Sequence, residues 1–297
     1  MRLPFLAAVA ALAFMPTVLV NAASKPEPVT SVTLAKSWAD AIDEAKKLNT
    51  PIVVHSHGFY CGPCWGMHSA VMMNKKYIEF ANENTVEVIS LQRLDEGVQK
   101  KEKNAETYEA KVDGKTVNYL VQFPGMTVDE MLEMNKTKAN TYNNTGKIPY
   151  TCVVDPWTET ELSHWQGSTP VGDITDAVLA AKKTLTKDHG KGAARKDVKV
   201  LADAAKDATA KTEKGEFASA IDALAKVGAK SDKWADSLKD ELKADKQKIV
   251  DSAQAALDKI KETNATDAEK AKKDLAAIAA KLKGTGLEDK AKTLLTE

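Results

Sequence analysis

Cysteine is scarce in this chain: three residues in 297. That excludes a disulfide framework of the kind that holds small secreted domains together. Net charge is absent too, with 42 basic residues set against 42 acidic ones. A nucleic-acid binder or an anionic-membrane surface would carry a clear basic excess. Long apolar runs are missing after residue 20, so no later stretch could span a bilayer. Past Gly192 there is neither Cys nor His, and the only aromatics are Phe217 and Trp234. Chemistry is therefore not expected from the C-terminal third.

What is present begins with "MRLPFLAAVAALAFMPTVLVNAAS". Arg2, an apolar run from Phe5 to Val20 and the small residues of "VNA" have the form of a signal peptide, with a cut expected after Ala22. Pro16 interrupts the run, and no Lys or Arg follows it at once, which argues against a membrane anchor. The expectation is a periplasmic or secreted protein with no stable membrane insertion after cleavage. The length allows two domains, expected over 23–187 and 188–297.

From Val32 to Leu185, helical and strand patterns alternate, which points to an α/β sandwich. "LAKSWADAIDEAKKLN" reads as a helix and "PIVVHSH" as a buried strand. "CWGMHSAVMMNKKYIEFANEN" reads as one continuous helix, and "TVEVISLQR" as a second strand. Residues 95–147 are polar and less regular, with a hairpin expected at Asp113–Gly114 and a short helix in "TVDEMLEMNKT". "IPYTCVVDP" and "ETELSHWQGS" read as adjacent strands, and "PVGDITDAVLAAKKTLT" as the closing helix. Gly190 and Gly192 suggest a linker. Beyond it, Trp234, Leu238, Leu242, Ile249, Leu257 and Ile260 recur at helical spacing, as in a helical bundle or hairpin.

The chemistry is concentrated in "HSHGFYCGPCWGMHSAVM", His55 to Met72. A disulfide closing a loop of two intervening residues restricts the unfolded chain very little, so a purely structural staple is a poor explanation for Cys61 and Cys64. A reactive pair needs a thiolate, and a helix N-terminus favours one through its unpaired N–H groups and partial positive charge. Placed between a strand and a helix, Cys61 is the attacking thiol and Cys64, one turn in, the resolving thiol. Gly62 and Pro63 permit the tight entry. A metal clip remains open, because His55, His57 and His68 accompany the two cysteines, and His57 shares a strand face with His55. Cys152 reads as a small buried hydrophobe. Trp157 and Trp165 read as packing residues.

The strand "PIVVHSH", then "YCGPC" opening a helix, then "KIPYTCVVDP", resemble the thioredoxin family over about half the chain. The resemblance implies a thioredoxin-like α/β fold, here with an enlarged insertion and followed by an all-α C-terminal domain. It implies thiol–disulfide oxidoreductase activity without a cofactor. The partners implied are protein thiols and disulfides and a redox donor or acceptor protein. Pro149 matches the family's cis proline facing the cysteines, and with Tyr60, Gly62 and Pro63 it is expected to help seat the substrate. The Gly-Pro pair between the cysteines is associated with the family's reducing members. Two departures stand out. Tyr60 replaces the usual Trp before the first Cys, and His55 replaces a buried acid, where a neutral imidazole could take the proton of Cys64. The alternatives are a non-catalytic scaffold that docks through its helical tail, or a Cys/His metal-handling protein.

Overall fold

The computed structural model describes residues 32–94, 96–100, 107–123, 125–264 and 266–296. The expected signal peptide, 1–22, lies outside the described residues, as do positions 95, 101–106 and 124 of the expected insertion.

Helix α1 (Trp38–Leu48) starts later than its apolar pattern suggests, because Leu34 is drawn into a bridge with Glu87. Ser37 caps it by accepting the Asp40 N–H, and Asn49 ends it in a left-handed conformation. Strand β1 (Ile52–Gly58) is buried throughout. The segment after it is not one helix. Helix α2 (Gly62–Met67) runs into a π-helical turn, His68–Met72, and the chain restarts as α3 (Lys75–Asn84), capped by the Asn74 side chain. Strand β2 (Val86–Arg93) and the short α4 (Glu96–Gln99) follow.

In the insertion, β3 (Thr107–Val112) and β4 (Lys115–Leu120) form a separate hairpin. Asp113 and Gly114 both have positive φ there, as a two-residue turn between twisted strands requires. Helix α5 (Val128–Met134) carries a reciprocal capping box between Thr127 and Glu130. The insertion is less of a surface appendage than its polarity suggests. Leu120, Phe123, Met126, Val128 and Met131 all enter the main core.

Strands β5 (Tyr150–Val154) and β6 (Glu161–Gln166) complete a four-stranded sheet of order β2-β1-β5-β6, and α6 (Val171–His189) follows. β1 and β2 are parallel; β5 is antiparallel to β1, and β6 to β5. The peptide bond before Pro149, at the entry to β5, is cis. A parallel pair joined through helices and then a terminal hairpin is the thioredoxin-like arrangement. Alternation along β1 divides the core. Ile52 and Val54 pack with α1, whereas Val53 joins Met67, Tyr77 and Ile174 on the opposite face.

Helices α7 (Arg195–Glu213), α8 (Phe217–Gly228), α9 (Asp236–Asn264), α10 (Ala268–Ala279) and α11 (Glu288–Thr296) follow. They bury a core of their own, including Leu201, Phe217, Leu224, Trp234, Leu238 and Leu257. The C-terminal part is thus all-α. The stretch expected to be a linker is pinned down. Ala193 donates its N–H to the Lys47 carbonyl, and Asn49 donates through Nδ2 to the carbonyls of Leu185 and Gly190. Arg195 bonds Glu44 and the Thr85 carbonyl, and Lys47 pairs with Glu241 at 2.8 Å. These contacts gather near the ends at which β1 and β2 begin. Among the described residues no helix is long and apolar enough to cross a membrane.

Candidate functional site

At the other end of β1, the chain leaves the sheet at Gly58 and turns through Tyr60, whose φ is +52°. Cys61 is the N-cap of α2: its carbonyl accepts from the Cys64 and Trp65 N–H groups, and its sulfur takes a second contact from the Cys64 N–H at 3.3 Å. Cys61 and Cys64 are joined as a disulfide, with Cα atoms 5.2 Å apart. Cys61 is partly exposed and Cys64 fully buried, the asymmetry that an attacking and a resolving sulfur need.

A groove of ≈ 640 Å³ opens beside Cys61, lined by Tyr60, Gly62, Pro63 and Ile148 among others. Tyr60 is 78% exposed and forms an apolar rim. The Ile148 carbonyl oxygen lies 4.0 Å from Cys61 Sγ. Pro149 itself is buried, and Ile148 supplies the lining on its behalf. Arg93 and Lys147 also line the groove, although neither carries a motif that marks it in the sequence.

Beneath the disulfide, β1 presents two histidines in different surroundings. His55 is fully buried; its Nε2 meets Glu87 Oε2 at 2.7 Å and its Nδ1 lies 3.2 Å from Thr151 Oγ1. Tyr77 and Thr85 both donate hydroxyl hydrogen bonds to the other Glu87 oxygen. Burial first, and then the Glu87 carboxylate, hold the Tyr77 hydroxyl well above its ordinary pKa. The expectation that His55 accepts the Cys64 proton is thus met by a ring with both nitrogens already engaged. A carboxylate does stand beside His55, on the neighbouring strand, at Glu87. A lone carboxylate in "TVEVISLQR", a strand otherwise buried, was the available signal for it.

His57 is also fully buried, but neither ring nitrogen makes a well-formed hydrogen bond among the described residues. It sits edge-on to Trp65, Phe123 and His68, with ring centroids 5.2, 5.4 and 6.0 Å away. Desolvation, and then the nearby His68, depress its pKa to about 4. His68 is depressed as well, by burial and by His55. Among the described residues no group of three or more His, Cys, Asp or Glu is arranged to hold a metal ion.

The remaining candidates lie away from the disulfide. Cys152 is buried on the α1 face, and its thiol is held far above the ordinary range by burial and by Glu161. Trp157 stacks on His189 and donates through Nε1 to Asn49, so it fastens the start of the helical region. Trp165 packs against the main core.

No family model matches the chain, and no curated protein matches it. Among solved structures, one described as "DsbH Oxidoreductase" is similar at 15% sequence identity and a TM-score of 0.34. The match covers 59% of this chain and 95% of that one.

Proposed function

We propose that this protein is an exported thiol–disulfide oxidoreductase acting on protein substrates. The observation that carries the reading is the Cys61–Cys64 disulfide at the start of α2, with one sulfur reachable from a groove and the other buried. Cys61 attacks a substrate disulfide, or passes its own disulfide to substrate thiols. Cys64 resolves the mixed disulfide. The helix start favours the Cys61 thiolate once the pair is reduced. Tyr60, Gly62, Pro63 and the Ile148–Pro149 segment form the surface against which a substrate backbone lies. A redox donor or acceptor protein recharges the pair.

The test is equilibration of the couple in defined thiol–disulfide buffers. A reversible two-thiol couple is expected. A potential near about −270 mV assigns a reductase, and one near about −120 to −180 mV an oxidase or isomerase. No reversible couple at all would rule the reading out.

A further inference from the structure

The groove beside Cys61 is apolar over much of its lining and cationic at two points. Phe59, Tyr60, Pro63, Leu94 and Ile148 supply apolar surface, and Arg93 and Lys147 supply the charge. The chain as a whole carries as many acids as bases, so two cations here do not follow from general basicity. Segments far apart in sequence bring them together. Arg93 ends β2, where it registers against Gly58 and its carbonyl accepts from the Phe59 N–H. Lys147 precedes Ile148, whose carbonyl oxygen lies 4.0 Å from Cys61 Sγ. The Lys147 backbone is fixed on both sides: its N–H donates to Thr145 Oγ1, and its carbonyl accepts from the buried Asn143. A Cβ on Gly58 would fall 2.5 Å from Ile148 Cδ1 and 3.4 Å from Arg93 Cβ, so the missing side chain lets both segments close on the end of β1. Both cations are exposed. Glu96 is the one acid among the described residues that line the groove, and it is paired with Lys100 at 2.6 Å. Among the described residues no carboxylate lies within ion-pair distance of Arg93 or Lys147.

We propose that the groove selects peptide disulfides with Asp or Glu flanking the half-cystine that meets Cys61, and that Arg93 and Lys147 set this specificity. The proposal rests on the oxidoreductase reading. A peptide that brings a sulfur to Cys61 lies in the same groove as both cations. Its apolar side chains cover Tyr60 and Leu94, and its carboxylates meet charges not already matched by an acid of this chain. A basic flank meets like charge instead. Exposed ion pairs are individually weak and screened by salt, so the preference acts on encounter and on binding and leaves the exchange at sulfur unchanged.

The test compares three peptide disulfides in single turnovers with the reduced full chain. The peptides share their apolar residues and differ only in the flanks, which are Asp and Glu, Asn and Gln, or Lys. The acidic peptide is expected to react about 3- to 10-fold faster than the neutral one near about 20 mM salt, the worth of two exposed ion pairs, and less than about 2-fold faster near about 0.5 M. Arg93→Glu combined with Lys147→Glu is expected to make the basic peptide the fastest of the three. Each protein is read by the ratio between its peptides, which a general loss of activity does not move. Should the double variant not fold, Arg93→Gln and Lys147→Gln decide separately: each must lower the acidic-to-neutral ratio. Equal rates for the three peptides in the unsubstituted protein overturn the proposal and leave the oxidoreductase reading standing. So does an acidic preference that survives charge reversal. If none of the peptides is reduced, the oxidoreductase reading and this proposal fall together.

Discussion

His55 and Glu87 stand on neighbouring parallel strands, and their side chains close a 2.7 Å contact although the register pairs Glu87 with Val53 and His55 with Ile89. The contact is a diagonal across one buried face. Truncating Glu87 would leave the His55 ring and the hydroxyls of Tyr77 and Thr85 without their acceptor. Glu87→Ala is expected to lower stability by about 3–5 kcal/mol, the usual cost of breaking a buried pair. Removing both partners, as in His55→Phe with Glu87→Leu, is expected to cost less than Glu87→Ala. Urea unfolding of these variants, and of His55→Phe and Glu87→Leu alone, measures the cycle; a double-variant loss equal to the sum of the two single losses would show that the pair is not coupled.

The two sulfurs are expected to respond differently to substitution. Cys61→Ser removes the exposed nucleophile, and insulin reduction with a small-thiol donor should fall at least about 100-fold, because no other accessible thiol can form the covalent intermediate. Cys64→Ser should instead accumulate a mixed disulfide, visible by mass spectrometry. Retention of turnover in Cys61→Ser would remove the proposed function.

His57 makes stability depend on pH. Its pKa is about 4 in the folded chain against 6.5 as the ordinary value, so below about 6.5 the unfolded chain binds a proton that the folded chain refuses. Stability therefore falls as pH drops from about 6.5 and levels off below about 4, by at most ~3 kcal/mol. Urea midpoints at pH 7 and pH 4.5 should differ for the unsubstituted protein, and by less in His57→Phe. The same pH response in both would place the titration elsewhere.

Much of this was legible from local pattern. The β-branched run at Ile52–Val54 and the Asp113–Gly114 turn determine their own conformations. The break between α2 and α3 was not legible, because Met67, Val71, Met72, Tyr77 and Ile78 keep an apolar spacing across it. Only Asn74, a good cap, marks the restart. The partner of His55 was hidden for a different reason: a diagonal contact depends on strand register, which neither segment encodes alone. The anchoring of the stretch around Gly192 was hidden on the same ground, since its close approach to the Leu48 backbone depends on a segment far away in the chain.

That approach gives the last prediction. A Cβ on Gly192 would lie 1.9 Å from the Leu48 carbonyl oxygen, and backbone cannot swing aside as a side-chain tip can. Gly192→Ala should cost about 1–3 kcal/mol in urea unfolding, the range for overpacking. It should also raise hydrogen exchange at the Ala193 N–H. An unchanged midpoint would mean that the two segments are not held together there.

The anchoring of the helical region near the start of β1, while Cys61 follows the end of that strand, also governs how the protein can be handled. Seven strand residues, roughly 23 Å of extended chain, separate the two ends. A bead, a fluorophore or a fused carrier fixed beside Arg195 or Glu241 would therefore sit at the other end of β1 from Cys61. Bulk added at Tyr60 or Lys147 would sit across its mouth.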